Sequence, residues 1–202
     1  GVFSMSNFSW NKHVLHVSRC VHQALYKLKF NKNSLSTELR IKLITTLVIP
    51  HIDYCCLVYH GLSSELNVKL QRLVNCCIRF IFNLRRDEHI TPFRHRLGWL
   101  STENRRLYFL GCQTYRIFHL RSPSYLLELF ASPDPEVRRS DRSGSSLQTF
   151  HISFHRTATY RNSFCLSSIY FWHSLPRDIA SASSLNSFKC LLHSYLMASE
   201  SS

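Results

Sequence analysis

The sequence predicts a mainly α-helical protein: a helical bundle, then a second small helical region, with a short strand at the N-terminus (residues 1–4). Three observations support this fold class. Apolar residues recur at steps of three and four along most of the chain. Ser or Thr stands where several of these periodic stretches begin. Apolar residues make up 45% of the 202 residues, which is enough for a hydrophobic core.

The first predicted helix covers residues 9–30, and Ser36 is the predicted N-cap of the second. Pro50 interrupts the apolar pattern of the second helix. We expect it to kink or break that helix, because proline lacks the backbone N–H that an α-helix needs. A further helical piece is predicted over residues 52–59.

The third predicted helix begins at Ser63 and has one apolar stripe. The stripe consists of Leu66, Leu70, Leu73, Cys77, Ile81 and Leu84. A new helix is predicted after it, with Thr91 as N-cap and Pro92 in the first position. Gly98 is the predicted end of this short helix.

Ser101 is the predicted N-cap of a long helix that ends near Leu120, and Pro123 opens a short one. Residues 131–146 combine Pro, Gly, Ser and charges of both signs, which is typical of an exposed linker. This part of the sequence therefore predicts a boundary after residue 130.

A short strand is predicted beyond the linker, within residues 147–154, and an aromatic-rich helix follows over residues 160–174. Ser184 is the predicted N-cap of the last helix. The expected organisation is thus a strand end (1–8), a helical region (9–130), a linker (131–146) and a C-terminal helical region (147–202).

The net charge of the chain is +13, and the first 130 residues carry +11 of it. A cationic excess of this kind indicates a polyanionic partner such as nucleic acid. The alternative is a solvated basic surface without a partner.

The eight cysteines form no C-x-x-C motif and no close Cys/His quartet, so no metal site is expected. Most lie beside Leu, Ile or Phe, which predicts buried, reduced thiols and an intracellular reducing location, nuclear or cytoplasmic. No run of 18 apolar residues occurs, so no membrane contact is expected. The chain starts at Gly1 rather than Met, and we expect a fragment of a longer protein.

Several phrases in order along the chain resemble non-LTR retrotransposon reverse transcriptases, particularly the jockey-like group of insects and other invertebrates. The central phrases are LQRLVNCCIRFIF (70–82), RRDEHITP (85–92) and LGWL (97–100), followed by Arg105 and Arg106. Others are GV (1–2) with FSW (8–10) and HV (13–14), IPHIDYC (49–55), SF (163–164), WHSLP (172–176) and SFK (187–189). The resemblance covers nearly the whole chain.

The resemblance implies the region after the polymerase active site: the end of a palm or primer-grip strand (1–8), then a helical thumb (9–130). The family's Tyr-x-Asp-Asp box would lie upstream of Gly1, so no catalytic residue is expected here. The parent polymerase would use Mg²⁺ and deoxynucleotides. The chain alone is not expected to polymerise. Asp53, in the IPHIDYC phrase, is expected to hydrogen-bond backbone groups freed by Pro50.

The implied partners are an RNA template, a DNA primer or target, and the polymerase upstream of Gly1. Thumb contacts of this kind go mostly to phosphate and sugar, for which Lys and Arg are suited. Ten residues are predicted to bind nucleic acid: Lys27, Lys29, Arg72, Arg79, Arg85, Arg86, Arg94, Arg96, Arg105 and Arg106. A stand-alone helical module that binds proteins, and a transposon relic without function, are the alternatives.

Overall fold

A computed structural model describes residues 1–3, 9–128, 130 and 157–200. All regular structure in these ranges is helical, which confirms the mainly α prediction. The N-terminal strand prediction is wrong for residues 1–3, because no strand in the described ranges offers them backbone partners. Ser4, the predicted linker (131–146) and the predicted strand within 147–154 lie outside the described residues.

The chain divides into two compact units, Gly1–Arg106 and Leu107–Ser202. Within the described ranges, no helix is long and apolar enough to cross a bilayer. The four-part organisation expected from the sequence stays a prediction, because its linker lies outside those ranges.

Five α-helices belong wholly to the first unit: α1 (Asn11–Phe30), α2 (Thr37–Leu43), α3 (Ile49–Asp53), α4 (Ser64–Phe82) and α5 (Thr91–Arg96). A short 3-10 helix, Lys32–Ser34, follows α1. The Ser36 prediction is confirmed, since its side chain accepts the Leu39 N–H. Ser63 caps α4 in the same way through the Leu66 N–H.

The core of the first unit forms where α1 packs on α4. The buried side of α1 carries Val14, Val17, Val21 and Leu25. The ring of His13, at the start of α1, lies 4.8 Å from that of Tyr59, which precedes α4. Lys32, just after α1, hydrogen-bonds Asn83, just after α4. The two helices therefore run side by side in the same direction.

The helix does not break at Pro50, since residues 37–53 are continuously helical, but the type of helix changes just before it. Residues Ile44–Val48 form a π-helical turn, and Pro50 occupies the first turn of α3, where a missing N–H costs no helical hydrogen bond. The predicted helix over residues 52–59 is wrong. Tyr54 leaves the helical conformation with ψ 120°, and Cys55 has a φ of 52°, so the chain continues in turns.

The predictions for the two ends of α5 have different outcomes. Ile90, not Thr91, is the N-cap of α5, so that prediction was wrong by one residue; Thr91 and Pro92 are its first two residues. Gly98, with a φ of 64°, follows α5 and confirms its predicted end. Leu84 lies beyond α4, because Asn83 ends that helix in the left-handed conformation.

α6 (Thr102–His119) begins in the first unit and provides most of its length to the second. Ser101 is confirmed as its cap by the bond from the Asn104 N–H. The remaining helices are α7 (Ser124–Glu128), α8 (Ala158–Arg161), α9 (Phe164–Ser174), α10 (Arg177–Ala180) and α11 (Leu185–Ser199).

The single helix predicted over residues 160–174 is wrong: α8 and α9 replace it, because Ser163 is extended, with ψ 154°. The cap of the last helix is confirmed, since Ser184 accepts the Ser187 N–H. Tyr115, Trp172 and Phe188 form an aromatic core in the second unit, with ring centroids 4.6–6.5 Å apart.

Candidate nucleic-acid interface

The positive charge of the chain is concentrated in the first unit. Residues 1–106 contain sixteen Lys/Arg and six Asp/Glu, a net charge of +10, whereas residues 107–202 have a net charge of +3. All charged residues of the first unit lie within the described ranges. The location of each cationic side chain therefore indicates which of them are accessible to a polyanion.

Arg105 is bound inside the first unit. Its Nε and Nη2 donate to the two carboxylate oxygens of Asp53, each over 2.6 Å. The prediction that Asp53 bonds freed backbone groups is wrong, because its carboxylate holds this guanidinium instead. Both side chains are only partly exposed. Their two hydrogen bonds link the end of α3 to the start of α6.

Arg106 is buried, with 4% of its surface exposed, and its Nη2 donates to the Asn67 carboxamide oxygen on α4. Burial lowers the pKa of its guanidinium, because a charged group loses hydration in the interior. Arg105 and Arg106 thus bind other side chains within the fold and do not belong to the accessible cationic surface.

Most of the other predicted residues converge at one end of the unit. We define the cationic end as eight Lys/Arg side chains: those in the last turns of α1 and α4, those in the segments directly after these two helices, Arg40 on α2 and Arg96 at the last position of α5. Its members are Lys27, Lys29, Lys32, Arg40, Arg79, Arg85, Arg86 and Arg96. The contact between Lys32 and Asn83 brings the two segments together.

Arg40 fixes this arrangement from α2. Its Nη1 donates to the Ile81 carbonyl near the end of α4 over 3.3 Å, and its Nη2 donates to the Lys32 carbonyl over 2.8 Å. The guanidinium also lies 5.9 Å from the ring centroid of Phe80. One side chain therefore ties the segment after α1 to the last turn of α4.

The segment between α4 and α5 has its own clamp. The Arg79 guanidinium donates to the carbonyls of Arg85 and Glu88. The Glu88 carboxylate in turn accepts the Arg85 backbone N–H over 2.6 Å. The Arg96 guanidinium lies 5.6 Å from the ring centroid of Phe82. These bonds use Arg79 but leave the side chains of Arg85 and Arg86 exposed.

The charge balance at this end is strongly positive. Residues 27–40 and 79–96 contain the eight members of the cationic end, one further cation (Arg94) and only three acids: Glu38, Asp87 and Glu88. Five members of the cationic end have exposed side chains: Lys27, Lys29, Arg85, Arg86 and Arg96. Exposed ammonium and guanidinium groups in this density suit phosphate groups, which they bind without reading sequence.

Arg72 and Arg94 lie apart from the cationic end. Arg72 is exposed on α4, two turns before Arg79. Arg94 is half-buried and lines a cavity of about 360 Å³ between α4, α5 and the start of α6. The side-chain amides of Gln71 and Asn75, both on α4, also line this cavity. Gln71 accepts the Thr102 N–H over 2.9 Å, which connects α4 to the start of α6, and donates to Asn75 over 3.0 Å.

Lys32 and Arg40 are the two members of the cationic end that the sequence prediction did not include, and Arg40 is the one that joins the two helix ends. It lies off the apolar face of its helix, and its partner Ile81 is 41 residues away, so no local pattern indicates the contact. No group of three or more His, Cys, Asp or Glu in the described ranges could hold a metal ion.

The eight cysteines are all free thiols. The prediction that they are buried holds for Cys56, Cys77 and Cys112, whereas Cys55, Cys76 and Cys190 are exposed and Cys20 and Cys165 are half-buried. Burial raises the pKa of the Cys56 thiol to about 11 and that of Cys77 to about 12. Thiols held neutral in this way are poor nucleophiles and poor metal ligands.

Comparisons with known proteins assign this chain to no family. No protein-family model matches it, and no curated protein or solved structure is significantly similar to it.

Proposed function

We propose that the first unit binds the phosphate backbone of a template–primer duplex, as the nucleic-acid-binding C-terminal part of a non-LTR retrotransposon reverse transcriptase. The observation that carries the proposal is the cationic end, where five exposed Lys/Arg side chains lie in a unit of net charge +10. The resemblance of the ordered sequence phrases supplies the polymerase context.

The expected binding mode follows from the chemistry of these side chains. Lys and Arg form ion pairs and hydrogen bonds with phosphate oxygens, and the release of condensed counterions drives the association. Such contacts hold an RNA–DNA hybrid in place without selecting its sequence. The RNA template and the DNA primer are thus the proposed partners, in an intracellular reducing compartment.

Polymerisation itself needs carboxylates that hold two Mg²⁺ ions at the primer end. In the proposed arrangement, polymerase residues upstream of Gly1 supply that chemistry. The proposed role of this chain is therefore to retain the duplex, and it should give no primer extension by itself.

A titration of a blunt RNA–DNA hybrid with the full 202-residue chain, followed by fluorescence anisotropy, tests the proposal. We expect the affinity to fall tenfold or more between about 50 and about 200 mM salt. Absence of binding at the lowest salt would refute the proposal. It would favour the alternative of a helical module that binds proteins.

A further inference from the structure

Two aromatic side chains at the end of α1 project from the protein surface. Tyr26 and Phe30 are 64% and 73% exposed, and Phe30 is the most exposed large apolar side chain in the described ranges. They are one helical turn apart, away from the buried side of α1 that carries Val21 and Leu25. Their exposure places a sizeable apolar surface in water, which is unfavourable unless a partner covers it.

The two rings contact each other edge to face. Their centroids are 5.0 Å apart and their planes are perpendicular. In this geometry the edge of one ring meets the face of the other, so each ring keeps at least one flat face that the other ring does not cover. Flat aromatic faces of this kind are what nucleic-acid bases stack on, with little dependence on base identity.

The charges around the pair indicate the nature of the partner. Lys27 and Lys29 lie in the same turn, and both are exposed. The sequence contains no acidic residue between Ser9 and Thr37, whereas it contains five Lys/Arg there. A second copy of this unit, with its net charge of +10, would be repelled from this surface. Charge complementarity instead favours a polyanion that also presents aromatic rings.

We propose that Tyr26 and Phe30 stack on unpaired bases of a nucleic-acid strand whose phosphates contact Lys27 and Lys29. A blunt duplex offers almost no base faces to these two rings, because its bases are stacked on one another and only its ends expose a base face. This inference rests on the proposed function and deepens it: the cationic end binds the paired part, and the aromatic pair binds an unpaired extension.

The test compares three probes: a blunt RNA–DNA hybrid, the same hybrid with an unpaired extension of about ten nucleotides, and that extension alone. We expect the extension to raise the affinity of the full chain tenfold or more. The double variant Tyr26→Ala/Phe30→Ala should lose this gain and still bind the blunt hybrid within about twofold of the original chain. Tyr125→Ala is the matched control, since Tyr125 is 66% exposed in the second unit.

A fluorescent adenine analogue in the extension gives a second readout, because stacking on an aromatic ring quenches it. We expect quenching with the original chain and with Tyr125→Ala, but not with the double variant. Circular dichroism checks that each variant keeps its helical content.

Each outcome separates the two proposals. If the blunt hybrid binds but the extension adds nothing, or if the double variant keeps the gain, the stacking inference is overturned and the proposed function stands. If the blunt hybrid does not bind, the proposed function fails, and the extension alone then decides: binding that requires Tyr26 and Phe30 supports stacking, and any other result overturns it.

Discussion

Arg105 and Asp53 form a two-bond ion pair, Nε to Oδ1 and Nη2 to Oδ2, across 52 residues of sequence. We expect Asp53→Asn to lower the free energy of unfolding by about 1–3 kcal/mol, because it removes a charged partner from a partly buried guanidinium. Urea denaturation measures this change. The affinity of the folded variant for a duplex should stay within about twofold, since Asp53 is not at the cationic end. Unchanged stability would mean that the pair does not hold α3 to α6.

Arg85 and Arg86 test the cationic end most directly, because their side chains are exposed and their removal leaves the clamp formed by Arg79 intact. The double variant Arg85→Ala/Arg86→Ala should weaken duplex binding. It should also reduce the slope of log affinity against log salt by about two, one for each phosphate that the variant no longer neutralises. Salt titrations of both proteins provide the comparison.

Lys69→Gln serves as the control for that experiment. Lys69 is exposed on α4 and pairs with Glu65 over 2.7 Å, away from the cationic end. Its replacement removes the same kind of charge and should leave the salt slope unchanged. An equal decrease in slope for both variants would indicate a diffuse charge effect rather than a defined interface.

The adjacent thiols Cys76 and Cys77 should differ sharply in reactivity. Cys76 is exposed on α4, whereas burial keeps Cys77 protonated. Alkylation at neutral pH, read residue by residue by mass spectrometry, should label Cys76 early and Cys77 only after unfolding. Cys55 and Cys56 should show the same contrast, in that order. Early labelling of Cys77 would show that the core of the first unit opens readily.

The stability of the first unit should decrease below about pH 6.5. Burial lowers the pKa of His13 from its ordinary value of 6.5, with smaller effects from the charges of His16 and the N-terminus. Below pH 6.5 the unfolded chain therefore takes up a proton that folded His13 does not, and protonation favours unfolding. The pKa of His60 is also lowered, mainly by burial and then by the charge of Arg106, so His60 should change the stability in the same direction.

Denaturant unfolding at several pH values between about 5 and 7.5 measures this dependence. His13→Phe keeps a ring against Tyr59 but removes the titrating group, so its stability should vary less with pH than that of the original chain. An equally steep dependence in the variant would assign the effect to other groups.

Gly111 lies where α6 meets α9 and α11 in the second unit. A Cβ at this position would lie 2.7 Å from the Leu192 Cδ2 and 2.8 Å from the Phe171 Cε1, and Leu192 is fully buried. We expect Gly111→Ala to cost about 1–3 kcal/mol through overpacking. Arg116→Ala, an exposed change on the same helix, should cost less than about 0.5 kcal/mol. Thermal unfolding monitored by circular dichroism distinguishes the two.

Local patterns were sufficient for features that depend on local geometry. Ser36, Ser101 and Ser184 bond to backbone N–H groups three residues ahead, and this relation is visible in the sequence. The turn after Asp53 was missed, because residues 52–59 are apolar enough to continue a helix. The turn becomes visible only in the backbone angles, in the ψ of 120° at Tyr54 and the positive φ of Cys55.

The cationic end could be predicted only in part, for a similar reason. Charge and helix ends identified Lys27, Lys29 and the Arg85–Arg86 pair. The same criteria also selected Arg105 and Arg106, which bind Asp53 and Asn67 within the fold. Sequence shows that a residue is charged but not which distant group neutralises or buries it.

The contacts of Arg40 have a consequence for the energetics of binding. By joining the carbonyls of Ile81 and Lys32, Arg40 holds the ends of α1 and α4 in one geometry before any ligand arrives. Association of a partner with a preorganised surface loses less conformational entropy than association with mobile loops. If Arg40 is removed, the proposed binding should thus weaken although the five exposed Lys/Arg side chains of the cationic end remain, because each encounter would first have to order the two helix ends.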